Sequence, residues 1–247
     1  MSRLVRAELA KLRTTRTAPA MLAAAAAFAV VTVVFVVTVA GTQGNPPLDA
    51  GSLRWIVAAP SRVVSGAVLL LGILAMAGEV RHQTITQTFL VTPNRGRVVA
   101  AKLAASVIVG LAFAAVTTAV VLAVGVPWLL TEGVPIRPSG ALGSTLAGVL
   151  AAAALSGLLG VAVAALVRNQ VASVVAALLW FLLVEGVLPA VLRAPTLARW
   201  LPGGATAALT DPGGQYLPAW AGGLLLAGYA LVLAAVGSRL TVRRDVT

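Results

Sequence analysis

One histidine, seven carboxylates and two lysines are the side chains from which this 247-residue chain could build an acid–base pair, a metal site or a phosphate cradle. Their spacing builds none of these. His82 has no second histidine to complete a zinc site or a metal-binding helix. Glu8, Asp49, Glu79, Glu132, Glu185, Asp211 and Asp245 are scattered, with no pair spaced as a carboxylate dyad. Lys11 sits in AELAKLR and Lys102 in VVAAKLA, and neither belongs to a G-x-x-x-x-G-K-[ST] loop of the kind that binds nucleotide phosphates. With no cysteine, disulfides and thiolate metal sites are excluded. The expectation is a non-catalytic chain with no cofactor of its own.

The elements around these residues are apolar: 60% of the chain is hydrophobic and 10% charged. A bilayer core of about 30 Å takes roughly 20 apolar residues per helical span. Six such windows occur, over about 18–40, 60–78, 103–126, 141–167, 171–188 and 219–237. The fold expected is an all-α membrane protein, residues 1–247 forming one transmembrane unit. Five basic residues before the first window give it the look of a secretory signal, but a 23-residue apolar core is too long for one, and Thr38-Val39-Ala40 is a poor cleavage site. An uncleaved span is expected.

Lys and Arg fall unevenly on the two sides of these spans. With the N-terminus inside, thirteen lie on the inner side and five on the outer, a positive-inside bias that puts both termini in the cytoplasm; the location expected is a bacterial inner (plasma) membrane. The net charge of +11 is then largely topological, and no basic groove with interleaved aromatics points to nucleic acid. Sixteen arginines against two lysines suggest a GC-rich genome.

Residues 2–17 read as an amphipathic helix lying on membrane lipid, with Ser2 as N-cap and Val5, Leu9 and Leu12 on one face opposite Arg3, Arg6 and Arg13. A plain basic tail is the alternative. Ala152, Ser156, Gly160 and Ala164 form a small-residue stripe facing either another span or a second copy. Residues 189–218 read as a short re-entrant or interfacial helix pair broken at Pro202-Gly203-Gly204 and anchored by Trp200, Tyr216 and Trp220, or as a plain outer loop. Arg62 and Glu185, toward the outer ends of the second and fifth spans, either pair or reach the headgroups separately. Gly125-Val126-Pro127 is placed at a span end.

Between the second and third spans lies GEVRHQTITQTFLVTPNRGR, residues 78–97, facing the cytoplasm. Glu79 suits a helix N-terminus, Ile85 and Phe89 are one turn apart, and Pro93 ends the helix near Thr92. These residues predict a short cytoplasmic helix with an apolar side suited to docking.

The run EVRHQTITQTFLVTPNRGRVVAAK resembles the segment between the second and third spans of ABC-type exporter permeases of the type-2 class. Glu79, Arg81, Thr84, Thr92, Pro93 and Arg97 match that pattern, while Gln83 stands where glycine is usual. The resemblance implies a coupling helix, including His82, Ile85 and Phe89, that sits in a groove of an ATP-binding cassette ATPase subunit. It further implies a second permease subunit, identical or related, and export of a hydrophobic or amphipathic cargo with ATP bound only on the partner. An ion-coupled transporter or channel acting without an ATPase is the alternative.

Overall fold

The computed structural model describes residues 2–42, 45, 47–81, 95–136, 139–167, 169–210 and 216–244. Every regular element among them is helical. Helix α1 covers Ser2–Thr14 and α2 Thr17–Val39. A short α3, Ser52–Ala58, leads through a turn at Pro60 into α4, Ser61–Arg81. Helices α5, Arg95–Thr131, and α6, Gly140–Val167, are the longest. Helix α7, Gln170–Leu179, continues as a π-helix over Trp180–Glu185. The short α8, Leu188–Val191, a 3-10 turn over Pro195–Trp200, and α9, Pro202–Thr210, lead to α10, Ala219–Arg244.

Six helical stretches among the described residues are long and apolar enough to cross a membrane: Thr17–Val39, Ser52–Glu79, Gly96–Thr131, Gly140–Val167, Gln170–Val191 and Ala219–Gly237. They correspond to the six windows, with two differences in the spans and one in the helix before them. The second span begins with α3 at Ser52, because Leu53, Ile56 and Val57 bury their side chains and compensate for the charge of Arg54, whose Nε donates to Thr145 Oγ1 at 3.0 Å. The third passes through Pro127 to Thr131. That proline costs one backbone hydrogen bond close to the helix end, where few remain to be lost. Ser2 stands within the first turn of α1 and not before it.

Helix α6 is the centre of the bundle, packed against α4, α5 and α10. Its stripe Ala152, Ser156, Gly160 and Ala164 is buried among these neighbours, so the small residues serve contacts within the chain. Backbones meet there: a Cβ on Gly160 would collide with the carbonyl of Leu69, and one on Gly72 would come within 2.5 Å of the Gly157 oxygen. Membrane helices gain little from hydrophobicity against lipid, so such close approach is a main source of their association. Gly72→Val should therefore destabilise the protein by about 1–3 kcal/mol in detergent unfolding, the range for overpacking a tight contact.

Helices α2 and α7, with the π-helix that continues α7, lie outside this centre and expose large apolar side chains, among them Phe35, Val171 and Leu182. In a soluble protein such surfaces would aggregate; in a bilayer they meet lipid or another subunit. After α7 the 3-10 turn ends at Trp200, Leu201 is extended, and Pro202-Gly203-Gly204 opens α9, with proline in the first turn, where its missing N–H costs nothing. All residues Gly203–Thr210 are buried, against α10 and α6, which fits a re-entrant helix and not a loop.

Candidate functional site

At one end of the bundle α1 crosses the adjoining ends of α4 and α5, and four charged side chains meet there. Glu8, the buried residue of α1, offers Oε1 to Lys11 Nζ at 2.8 Å and Oε2 to Lys102 Nζ at 2.7 Å. Glu79, near the end of α4, holds both ammonium groups on Oε1, each at 2.7 Å. The four groups close into a ring of alternating sign: Lys11, Glu8, Lys102, Glu79.

Local structure accounts for this meeting. Val5, Leu9 and Leu12 are half-buried, and Glu8 lies among them on the helix face turned toward the bundle. Leu12 reaches a small gap bounded by Val68 and Leu71 of α4 and by Ala105 and Val109 of α5. Apolar docking thus carries a carboxylate into a partly dry position, where it is tolerable only with a cation opposite. Lys102 supplies that cation with a side chain only 2% exposed. Lys11 is on the wet side of the ring, at 48%.

The energies should follow that order. Lys11 is half in water, so Lys11→Met should cost no more than about 1 kcal/mol in thermal unfolding, as exposed ion pairs do. Partial burial alone would lower the Lys11 pKa, but the hydrogen bonds and charges of Glu79 and Glu8 outweigh it and hold the value above its ordinary 10.5. A raised lysine pKa gives stability that is complete below the unfolded value and is lost only as pH rises through the folded one. The Lys11 contribution should therefore be constant between pH 6 and pH 9, as an unfolding series on wild type and Lys11→Met would show.

The ring brackets residues 82–94: Glu79 precedes that segment on α4, and Lys102 follows it on α5. Of the residues expected to form the coupling segment, Glu79 is in the ring, and it sits in the last turn of α4 and not at the N-terminus of a new helix. Arg81 Nη1 donates to Gln170 Oε1 at 3.5 Å, reaching the start of α7. His82, Thr84, Ile85, Phe89, Thr92 and Pro93 lie outside the described residues, as does Gln83. Sequence reasoning missed Glu8, Lys11 and Lys102 as a group. One signal was present: the only two lysines in an arginine-rich chain share a single cluster with two of its few carboxylates.

A second polar meeting point lies along the spans. In the π-helix the wider turn brings residues five apart onto one face, and Trp180 Nε1 donates to Glu185 Oε1 at 3.0 Å. The same oxygen accepts the Gly203 amide at 2.9 Å, so Glu185 holds the first turn of α9. A Cβ on Gly203 would meet the end of this carboxylate and lie 3.3 Å from Arg62 Nη2, so a larger residue there would displace the Glu185 side chain. Arg62 follows Ser52 by ten residues, about 15 Å along the second span. Glu185 is therefore engaged by the protein instead of reaching for headgroups.

Six apolar spans around a small-residue centre define a multi-pass membrane protein. The family model described as ABC-2 family transporter protein matches residues 4–184, and the chain belongs to that family as a transporter permease. No curated protein matches the chain.

Proposed function

We propose that this chain is the membrane-spanning subunit of an ATP-driven exporter that moves a hydrophobic or amphipathic cargo across the bacterial inner membrane. A separate ATP-binding cassette ATPase supplies the energy, and two such permeases, identical or related, enclose the pathway. Both termini face the cytoplasm. Residues 79–92 receive the closure of the ATPase subunits, and α1 lies along the inner lipid surface beside them.

The observation that carries this reading is the closed ring of Glu8, Lys11, Glu79 and Lys102. It ties one amphipathic helix to the two spans that flank the docking segment, so a push on that segment is shared by α1, α4 and α5. Membership of the ABC-2 family supports the rest. Coupling requires contacts that differ between two states, and the ring joins the spans on either side of that segment to α1.

Purification from its native membrane in mild detergent, followed by mass spectrometry, should recover a soluble subunit with a phosphate-binding loop. Reconstituted protein that transports with an ion gradient, and without ATP or such a subunit, would replace this reading with an ion-coupled one.

A further inference from the structure

Helix α7 packs on α4 and α6, and α10 packs on α6 and α9; between α7 and α10 lies a cleft of about 350 Å³. Buried Leu159 of α6 forms its floor, Ala176 of α7 with Trp180 and Phe181 of the π-helix one side, and Tyr229 and Leu233 the other. Ala176 and Trp180 are exposed, so the cleft opens sideways, toward lipid.

Its lining offers no hydrogen bond. Among the described residues only Trp180 and Tyr229 of that lining carry polar side-chain atoms. Trp180 Nε1 is engaged by Glu185 Oε1, and Tyr229 Oη donates to the Trp200 carbonyl at 2.7 Å, so both present ring carbons to the cleft. A buried water needs two to four polar partners and finds none here. Left empty, the lining would forfeit its dispersion contacts. The occupant must be apolar.

Depth and length decide its kind. Helix α7 starts at Gln170, which Arg81 reaches beside the charged ring, and Gly237 of α10 adjoins Ala165 and Leu166 at the same end of the bundle. Counted from Gln170 and Gly237, Ala176 and Leu233 lie about 9 and 6 Å deep, and Phe181 and Tyr229 about 16 and 12 Å. Half of a bilayer core is about 15 Å, so the cleft lies within the leaflet at the ring end and stops near the midplane. Its walls run only four or five residue steps along each helix, about 6–8 Å. A helix from a second copy or another partner docks through anchors spread from i to i+7, about 10 Å, and the cleft is too short to seat one.

We infer that this cleft holds one acyl chain of a phospholipid from the ring-end leaflet, its methyl end against Trp180, Phe181 and Tyr229. The chain completes the packing between the fifth and sixth spans. This assignment needs only a membrane-spanning permease and stands apart from the exporter reading.

The test uses the full chain, one copy per nanodisc of mixed phosphatidylethanolamine and phosphatidylglycerol, without ATP or an ATPase. A phospholipid carrying a diazirine near the methyl end of one chain is photolysed, and labelled residues are mapped by mass spectrometry. Phe28, exposed on α2 at about the same depth as Phe181, reports ordinary bilayer lipid. Trp180, Phe181 and Tyr229 should be labelled about tenfold more than Phe28, the ratio that a modest preference for a held chain gives. A diazirine at mid-chain should move the labelling to Ala176 and Leu233. Ala177→Phe and Leu233→Trp, which fill the cleft from opposite sides, should each reduce labelling of Trp180 and Phe181 to the level of Phe28; if one variant fails to fold, the other decides. Labelling no stronger than at Phe28, the reverse order of the two probes, or labelling that survives the filling would overturn the assignment. So would its loss in discs holding two copies, which would mean that a second copy covers the mouth.

Discussion

Lys102→Met should lower stability by about 3–5 kcal/mol, the largest effect expected of any single substitution in the charged ring. The ammonium is nearly inaccessible to water and lies 2.7 Å from both Glu8 Oε2 and Glu79 Oε1. Its removal leaves two carboxylates facing each other in a poorly hydrated place, with only the half-exposed Lys11 between them. Adding Glu8→Gln to Lys102→Met should recover a good part of the loss, because one of the two opposing charges disappears. Unfolding curves for the four proteins of this cycle give the coupling directly. Additive effects, or a Lys102→Met protein as stable as wild type, would mean that the ring does not hold α1 in place.

The second large effect concerns partner capture. Phe89→Asp should leave membrane insertion and span packing intact while reducing recovery of the ATPase at least tenfold in mild detergent. Buried aromatic anchors in interfaces commonly carry 2 kcal/mol or more, and an aspartate adds the cost of an unpaired charge. Unchanged recovery would sink the coupling role proposed for residues 79–92. The two variants also separate two failures. Lys102→Met should weaken the clamp around the segment, whereas Phe89→Asp should spoil its docking face in a stable protein.

The spans were legible in the sequence because membrane insertion depends on summed apolarity, which tolerates errors of a few residues. The errors have physical causes. Arg54 interrupts the hydropathy before α4, so the sequence hides the fact that α3 continues the same span with its apolar residues buried. Pro127 reads as a stop, although a proline one turn from a helix end removes little. Pro202-Gly203-Gly204 reads as a break, and the chain does break just before it, at Leu201; what the pattern hides is that the same three residues open the buried helix α9.

The charged sites were less legible, and for a different reason. Glu8 and Lys102 are 94 residues apart, and nothing local to either announces the other. Their pairing exists because Val5, Leu9 and Leu12 press one face of α1 onto the bundle, so the amphipathic pattern was visible and its electrostatic consequence was not. Glu185 and Gly203 meet only because a π-turn redirects Trp180 and the carboxylate to one side, a detail no periodicity of 3.6 contains.

The length of α5 has a mechanical consequence. Its 37 residues make a rod of about 55 Å, well beyond the roughly 30 Å of a bilayer core. Lys102 grips this rod near its first end, beside the segment proposed to meet the ATPase. A tilt of only about 5° about that grip would sweep the far end, around Pro127 to Thr131, through about 4 Å. The helix is thus a lever with unequal arms. A small displacement of the short arm becomes, at the far end, a movement of the order of an atom's diameter, enough to part or close the side chains there.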